Sequence, residues 1–128
     1  MSMVGKNKKK YVPKSLTKED RKKQIKSIEE GTDRPKLKSF KSKRSSYAVS
    51  FEKKYKTKIT DKEYINKNII KTKGQNEILA KGRGAYYSSG SRPNQTSNSW
   101  AYARLASVIM NGRARKVDKD IWDKYAIF

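Results

Sequence analysis

Apolar residues recur at helical spacing through much of this chain. The best-specified stretch covers residues 97–110, where Ala101, Leu105, Val108 and Ile109 fall at i, i+4, i+7 and i+8. Ser97 or Asn98 can cap its start, and Asn111-Gly112 supplies the stop. Tyr47, Phe51 and Tyr55, four apart with Ala48 beside them, predict a helix over 46–56. Tyr64, Ile65, Ile69 and Ile70 predict another over 60–71, entered through a capping box of Thr60 and Glu63. A short one over 75–81 surrounds Ile78 and Leu79 and ends at Gly82.

The helix predicted over 17–30 is different. Thr17 with Asp20 caps it and Gly31 stops it, but only Leu16, Ile25 and Ile28 give it an apolar side. A helix this polar lies on a surface with its lysines outward. A final helix starts near Asp118, with Asp118 and Asp120 complementing its dipole, and carries Ile121, Trp122 and Tyr125. Trp122, like Tyr11 and Phe40, is a candidate aromatic anchor for a partner's pocket. The apolar end, Ile127-Phe128, predicts docking against the body. The expected fold class is therefore mainly α.

Three segments escape that pattern. Residues 1–14 read as an extended basic arm, with Lys6, Lys8, Lys9 and Lys10 leading into Tyr11-Val12-Pro13. Residues 32–44 contain Pro35 and alternate loosely without a second alternating segment to pair with, so they read as a strap anchored by Leu37 and Phe40. Residues 82–99 combine three glycines, a proline and many hydroxyl and amide side chains, which predicts irregular structure through most of the segment. The organisation expected is an arm, 1–14, on one small helical domain, 15–128.

Charge changes the picture most. Thirty-three Lys and Arg stand against twelve Asp and Glu in 128 residues, a formal net charge of +21. Such a density repels itself, so a neutralising companion is expected: nucleic acid, an acidic membrane surface or acidic protein faces. Residues 1–60 carry twenty of the basic side chains and six of the acids, so the first half binds most strongly. The chain has neither cysteine nor histidine, which removes disulfides, thiolate chemistry and imidazole general bases. No apolar run approaches the length of a membrane span, and no secretory signal follows the basic start. The sequon Asn94-Gln95-Thr96 reads as accidental.

Candidate chemistry is sparse. The glycines before Tyr86 are not closed by Gly-Lys-Ser/Thr, so no phosphate-binding loop is expected. A tyrosine nucleophile at Tyr86 or Tyr87, clamped by Arg83, Arg92 or Arg104, lacks a proton shuttle. The Ser-x-x-Lys spacings at Ser15–Lys18 and Ser50–Lys53 are chance. Asp118, Asp120 and Asp123 serve capping and ion pairing better than a metal. Two readings of Arg83, Tyr86, Tyr87 and Arg92 stay open: tyrosines stacking on bases while arginines track phosphates, or tyrosines filling the core.

Several stretches carry a resemblance: Tyr11-Val12-Pro13-Lys14-Ser15-Leu16-Thr17, Gly31-Thr32-Asp33-Arg34-Pro35, Ser39 to Ser45 and, most specifically, Gly84 to Thr96. With Trp100, Ala103 to Val108 and Ala114 to Asp118, they are similar to a family of small basic proteins of unassigned function in large double-stranded DNA viruses of algae and protists. The resemblance implies a large icosahedral particle, and no catalytic residues. The expected function is a non-enzymatic virion component, a minor capsid (cement) protein on the inner face of the capsid. Its partners there are the major capsid protein and other minor capsid proteins, with nucleic acid or the internal membrane surface as further candidates. No cofactor, metal or small-molecule substrate is expected. The alternative is a DNA-condensing protein that binds without sequence preference. The residues expected to meet the partner are Lys6, Lys8, Lys9, Lys10 and Tyr11 in the arm and Lys38, Phe40, Lys41, Lys43 and Arg44 in the strap. Arg83, Tyr86, Tyr87 and Arg92 in the glycine-rich segment and Arg113, Arg115 and Lys116 in the late basic turn complete the set.

Overall fold

Helix-forming stretches end where a cap can hold their last carbonyls, and the computed structural model, which describes residues 11–41 and 44–127, places seven helices accordingly. They are α1 (Lys18–Glu30), α2 (Ser46–Tyr55), α3 (Lys62–Asn68), α4 (Thr72–Ser88), α5 (Ser97–Ile109), α6 (Arg113–Val117) and α7 (Lys119–Tyr125). Among the described residues the only β pairing is one antiparallel bridge, Ile70 to Ala126. The mainly helical class holds. The contacts divide the chain into two compact units, residues 11–41 with 83–100 and residues 44–82 with 101–127.

The second unit holds the apolar core. Phe51, Ile65, Ile70, Ile78, Leu79, Leu105 and Val108 are buried there together, and each contributes about 1.5–3 kcal/mol by leaving water. The chain's last described residues close it: Ile127 donates its amide to the Ile69 carbonyl at 2.7 Å, and Lys71 donates to Tyr125 at 3.0 Å.

α1 and α2 begin and end as their sequence predicts, and the departures elsewhere have local causes. α3 is capped by Asp61, one residue past Thr60: its carboxylate accepts from the Tyr64 amide and from the Thr57 hydroxyl. α5 is capped by Thr96, before Ser97 and Asn98, in a reciprocal box with Ser99 (3.0 and 2.9 Å). α4 is the largest departure. It does not stop at Gly82 but continues through Gly84 to Ser88, so only 89–96 of the glycine-rich segment is irregular. Gly82 is there for packing: a Cβ on it would lie 2.6 Å from Cα of Ala101 in α5. The basic turn after Gly112 is helical as well, forming α6.

The first unit is held together differently. Its buried apolar side chains are few, among them Tyr11, Leu16, Ile28, Leu37 and Tyr86, and polar side chains bind the main chain in their place. Buried Gln24 of α1 donates to the carbonyls of Tyr11 (3.0 Å) and Ser91 (2.8 Å). Asn94, at φ 64°, accepts from the Leu37 amide (2.6 Å) and donates to the Leu37 and Phe40 carbonyls. The sequon asparagine is thus a main-chain clamp, and the described part of the strap it grips turns at Lys38–Ser39 without pairing as a strand. Ser39 completes the box at the head of α1. It accepts from the Thr17 amide at 3.1 Å and donates its hydroxyl to Asp20 at 2.5 Å, which pulls the Asp20 carboxyl below its ordinary range.

Candidate polyanion-binding surface

Tyr86 and Tyr87 are consecutive residues of one helix with opposite fates. Tyr86 is fully buried; its hydroxyl accepts from the Arg34 amide at 2.7 Å and donates to the Gln95 carbonyl at 2.8 Å. Burial also raises its pKa, so the phenol stays protonated and its hydrogen bonds are already used. Tyr87 is exposed and donates to the Asp33 carboxylate at 2.8 Å. For Tyr86, the core reading of this segment is the right one, and base stacking is open to Tyr87 alone.

Arg34, absent from the predicted set, organises the same unit. It is 6% exposed; its guanidinium lies over the Tyr86 ring at 4.9 Å and donates to the carbonyls of Ser27 (3.1 Å) and Thr32. Burial lowers its pKa. Its two other nitrogens, Nε and Nη1, are buried without a hydrogen-bond partner. No charge count or motif distinguishes this arginine from the others in the sequence; only its burial does.

Several of the predicted anchors are committed inside the chain. Tyr11 is 8% exposed and meets Trp100 edge-on at 5.6 Å, so it is core and not a partner-filling anchor. Phe40 is half-buried. Trp122 is buried beneath the Arg115 guanidinium, 4.1 Å from its ring. Arg115 also donates to the Val108 and Ile109 carbonyls (2.7 and 2.8 Å), satisfying the end of α5 where a partner was expected. Arg44 forms a fork with Glu52, which lowers the Glu52 pKa. Asp118 stands at the N-cap position of α7, but its side chain makes no capping bond: buried, it takes two 2.7 Å bonds from Arg104, with Lys81 3.7 Å away.

The predicted residues left facing solvent are Lys38, Lys41, Arg92, Arg113 and Lys116, with Arg83 half-buried. Lys6, Lys8, Lys9, Lys10 and Lys43 lie outside the described residues. A hollow of about 310 Å³ is lined by Asn111, Arg115, Lys116, Lys119, Trp122 and Asp123, but Lys119 there is paired with Asp123 at 2.6 Å. Among the described residues no cluster of Asp and Glu is arranged to hold a metal ion.

The sequence set passes over the outward side of α1. Lys18, Arg21, Lys22, Lys23 and Lys26 are all exposed, whereas Gln24, Ser27 and Ile28 are buried. The helical period had placed these lysines outward; what it could not show is that Ser39 fastens the strap, with Lys38 and Lys41, to the same end of the helix.

A family of unknown function, DUF5824, matches residues 5–124. The chain belongs to that family. No curated protein and no solved structure matches it. The family match spans the parts of both units that fall within those residues, including the Tyr86, Asn94 and Gln24 contacts of the first unit and the core of the second.

Proposed function

We propose that this protein is a non-enzymatic structural component of a virion, a minor capsid protein on the inner face of a large DNA virus particle. There it binds the acidic surfaces of capsomers and of other minor proteins. One observation carries the reading: exposed Lys and Arg outnumber exposed Asp and Glu on both units, and several of the acids are already paired or hydrogen-bonded within the chain. Glu30, Glu52, Asp118 and Asp123 are ion-paired, Asp20 is bound to Ser39, and Asp33 accepts from Tyr87. The surplus positive charge therefore has no internal use, and a protein set among several acidic neighbours neutralises it from more than one side. The resemblance to small basic proteins of large DNA viruses supports the same context.

Two measurements test it. Cross-linking of intact purified particles, read by mass spectrometry, is expected to join lysines of both units to capsid subunits. An icosahedral reconstruction is expected to contain density fitting the helices of each unit. A particle whose shell lacks that density, with the protein recovered only in the genome fraction, would overturn the proposal.

A further inference from the structure

We infer that the N-terminal half of α1 and the strap clipped to it form a docking surface for the phosphate backbone of double-stranded nucleic acid. This goes beyond the capsid role and does not depend on it. Three hydrogen bonds build the surface from separate stretches. The Arg21 guanidinium donates to the Lys14 carbonyl (3.4 Å), Ser39 accepts from the Thr17 amide (3.1 Å), and the Ser39 amide donates to Asp20 (3.1 Å). Lys14, Lys18, Arg21, Lys22, Lys38 and Lys41, all exposed, are thereby gathered around one helix end.

The local charge is nearly of one sign. Asp20 is occupied by Ser39, which leaves Glu19 as the one carboxylate facing outward in this half of the helix. In the second unit, by contrast, exposed lysines are interleaved with Asp61, Glu63, Glu77, Asp120 and Asp123. Lys18 and Lys22 also stand i, i+4, about 6 Å apart along the axis, where like charges destabilise an isolated helix by a few tenths of a kcal/mol. A row of phosphates removes that repulsion.

The side-chain chemistry selects the partner. Among the described residues, Tyr87 is the only exposed large hydrophobic residue of this unit, and it does not lie on α1 or the strap. Without aromatic platforms the surface is unsuited to stacking single-stranded bases. Protein interfaces are enriched in Tyr, Trp and Arg and depleted in Lys, whereas this surface is five lysines and one tethered arginine. Flexible point charges without aromatics suit duplex phosphates, which are bound by counterion release and without sequence preference.

The test compares two charge reversals in the full chain: Lys18→Glu/Lys22→Glu/Lys38→Glu on this surface, and Lys53→Glu/Lys67→Glu/Lys73→Glu on the second unit. Both change the net charge equally. Fluorescence anisotropy with a mixed-sequence duplex of roughly 30 base pairs at about 100 mM salt is expected to show at least about a tenfold loss for the first variant. For the control the loss stays within about threefold, and the salt slope of log K falls by about 2.7 only in the surface variant, from three lost phosphate contacts. The milder Lys→Gln triple at the same three positions is expected to follow the same order, which covers any misfolding of the reversal. Equal losses in both variants, or no duplex binding by the parent chain, would overturn the inference. So would loss of poly-L-glutamate binding with duplex binding intact, which would assign the surface to acidic protein.

Discussion

Replacing Tyr86 by Phe tests how the first unit is held. The ring stays, with its burial and its contact to Arg34, and only the hydroxyl is lost. That oxygen joins the strap, through the Arg34 amide, to the loop before α5, through the Gln95 carbonyl. An unsatisfied buried backbone group costs about 1–3 kcal/mol, and Gln95 is only half-buried, so water recovers part of its share. The expected loss is about 2–3 kcal/mol. Tyr87→Phe is the control: its hydroxyl meets Asp33 at the surface, and the expected change is within about 0.5 kcal/mol. Urea unfolding can follow each unit separately, because Trp100 belongs to the first and Trp122 to the second. Hydrogen exchange at the Arg34 amide should accelerate about thirtyfold or more in Tyr86→Phe and little in Tyr87→Phe. Equal effects of the two substitutions, or an unchanged Arg34 amide, would refute the claim that this hydroxyl staples the unit.

Two glycines of α4 should respond to alanine with opposite signs. At Gly84, where an added Cβ meets nothing within 4 Å, helix propensity should stabilise by up to about 1 kcal/mol in thermal unfolding. At Gly82 the same methyl strikes the Ala101 backbone, and overpacking of about 1–3 kcal/mol outweighs that gain. Arg104→Met strands the buried Asp118 carboxylate. A loss of about 3 kcal/mol is expected by urea titration, at the lower end for a broken buried pair because Lys81 remains near, and Arg104→Met/Asp118→Asn should recover part of it. Asp20 has a folded pKa below its ordinary 3.8, so its contribution is present above that value and lost as pH falls through the folded pKa. Asp20→Asn should therefore flatten the acid limb of the stability–pH curve, and an unchanged limb would exclude the Ser39 bridge as its source.

Much of the fold follows from local sequence. The 3.6-residue apolar period located α2, α3 and α5, and Gly31 and Asn111-Gly112 closed α1 and α5, because caps and stripes depend on residues within one or two turns of each other. The cationic surplus and the lack of histidine and cysteine are likewise fixed by composition. Tertiary structure decided the rest. Gly82 resembles a stop signal until Ala101 is placed against it, and Tyr86 resembles a base-stacking ring until Arg34 and Gln95 close on its hydroxyl. Asp118 holds the N-cap position its sequence suggests, and its carboxylate reads as a capping group until Arg104 takes it from α5. Arg115 resembles a partner contact until the end of α5 takes its donors. In each case the deciding partner comes from another element, most distantly 52 residues away. A side chain's charge and period are properties of the chain, but whether its polar atoms are spent or left for a partner depends on what folding brings within 3 Å of them.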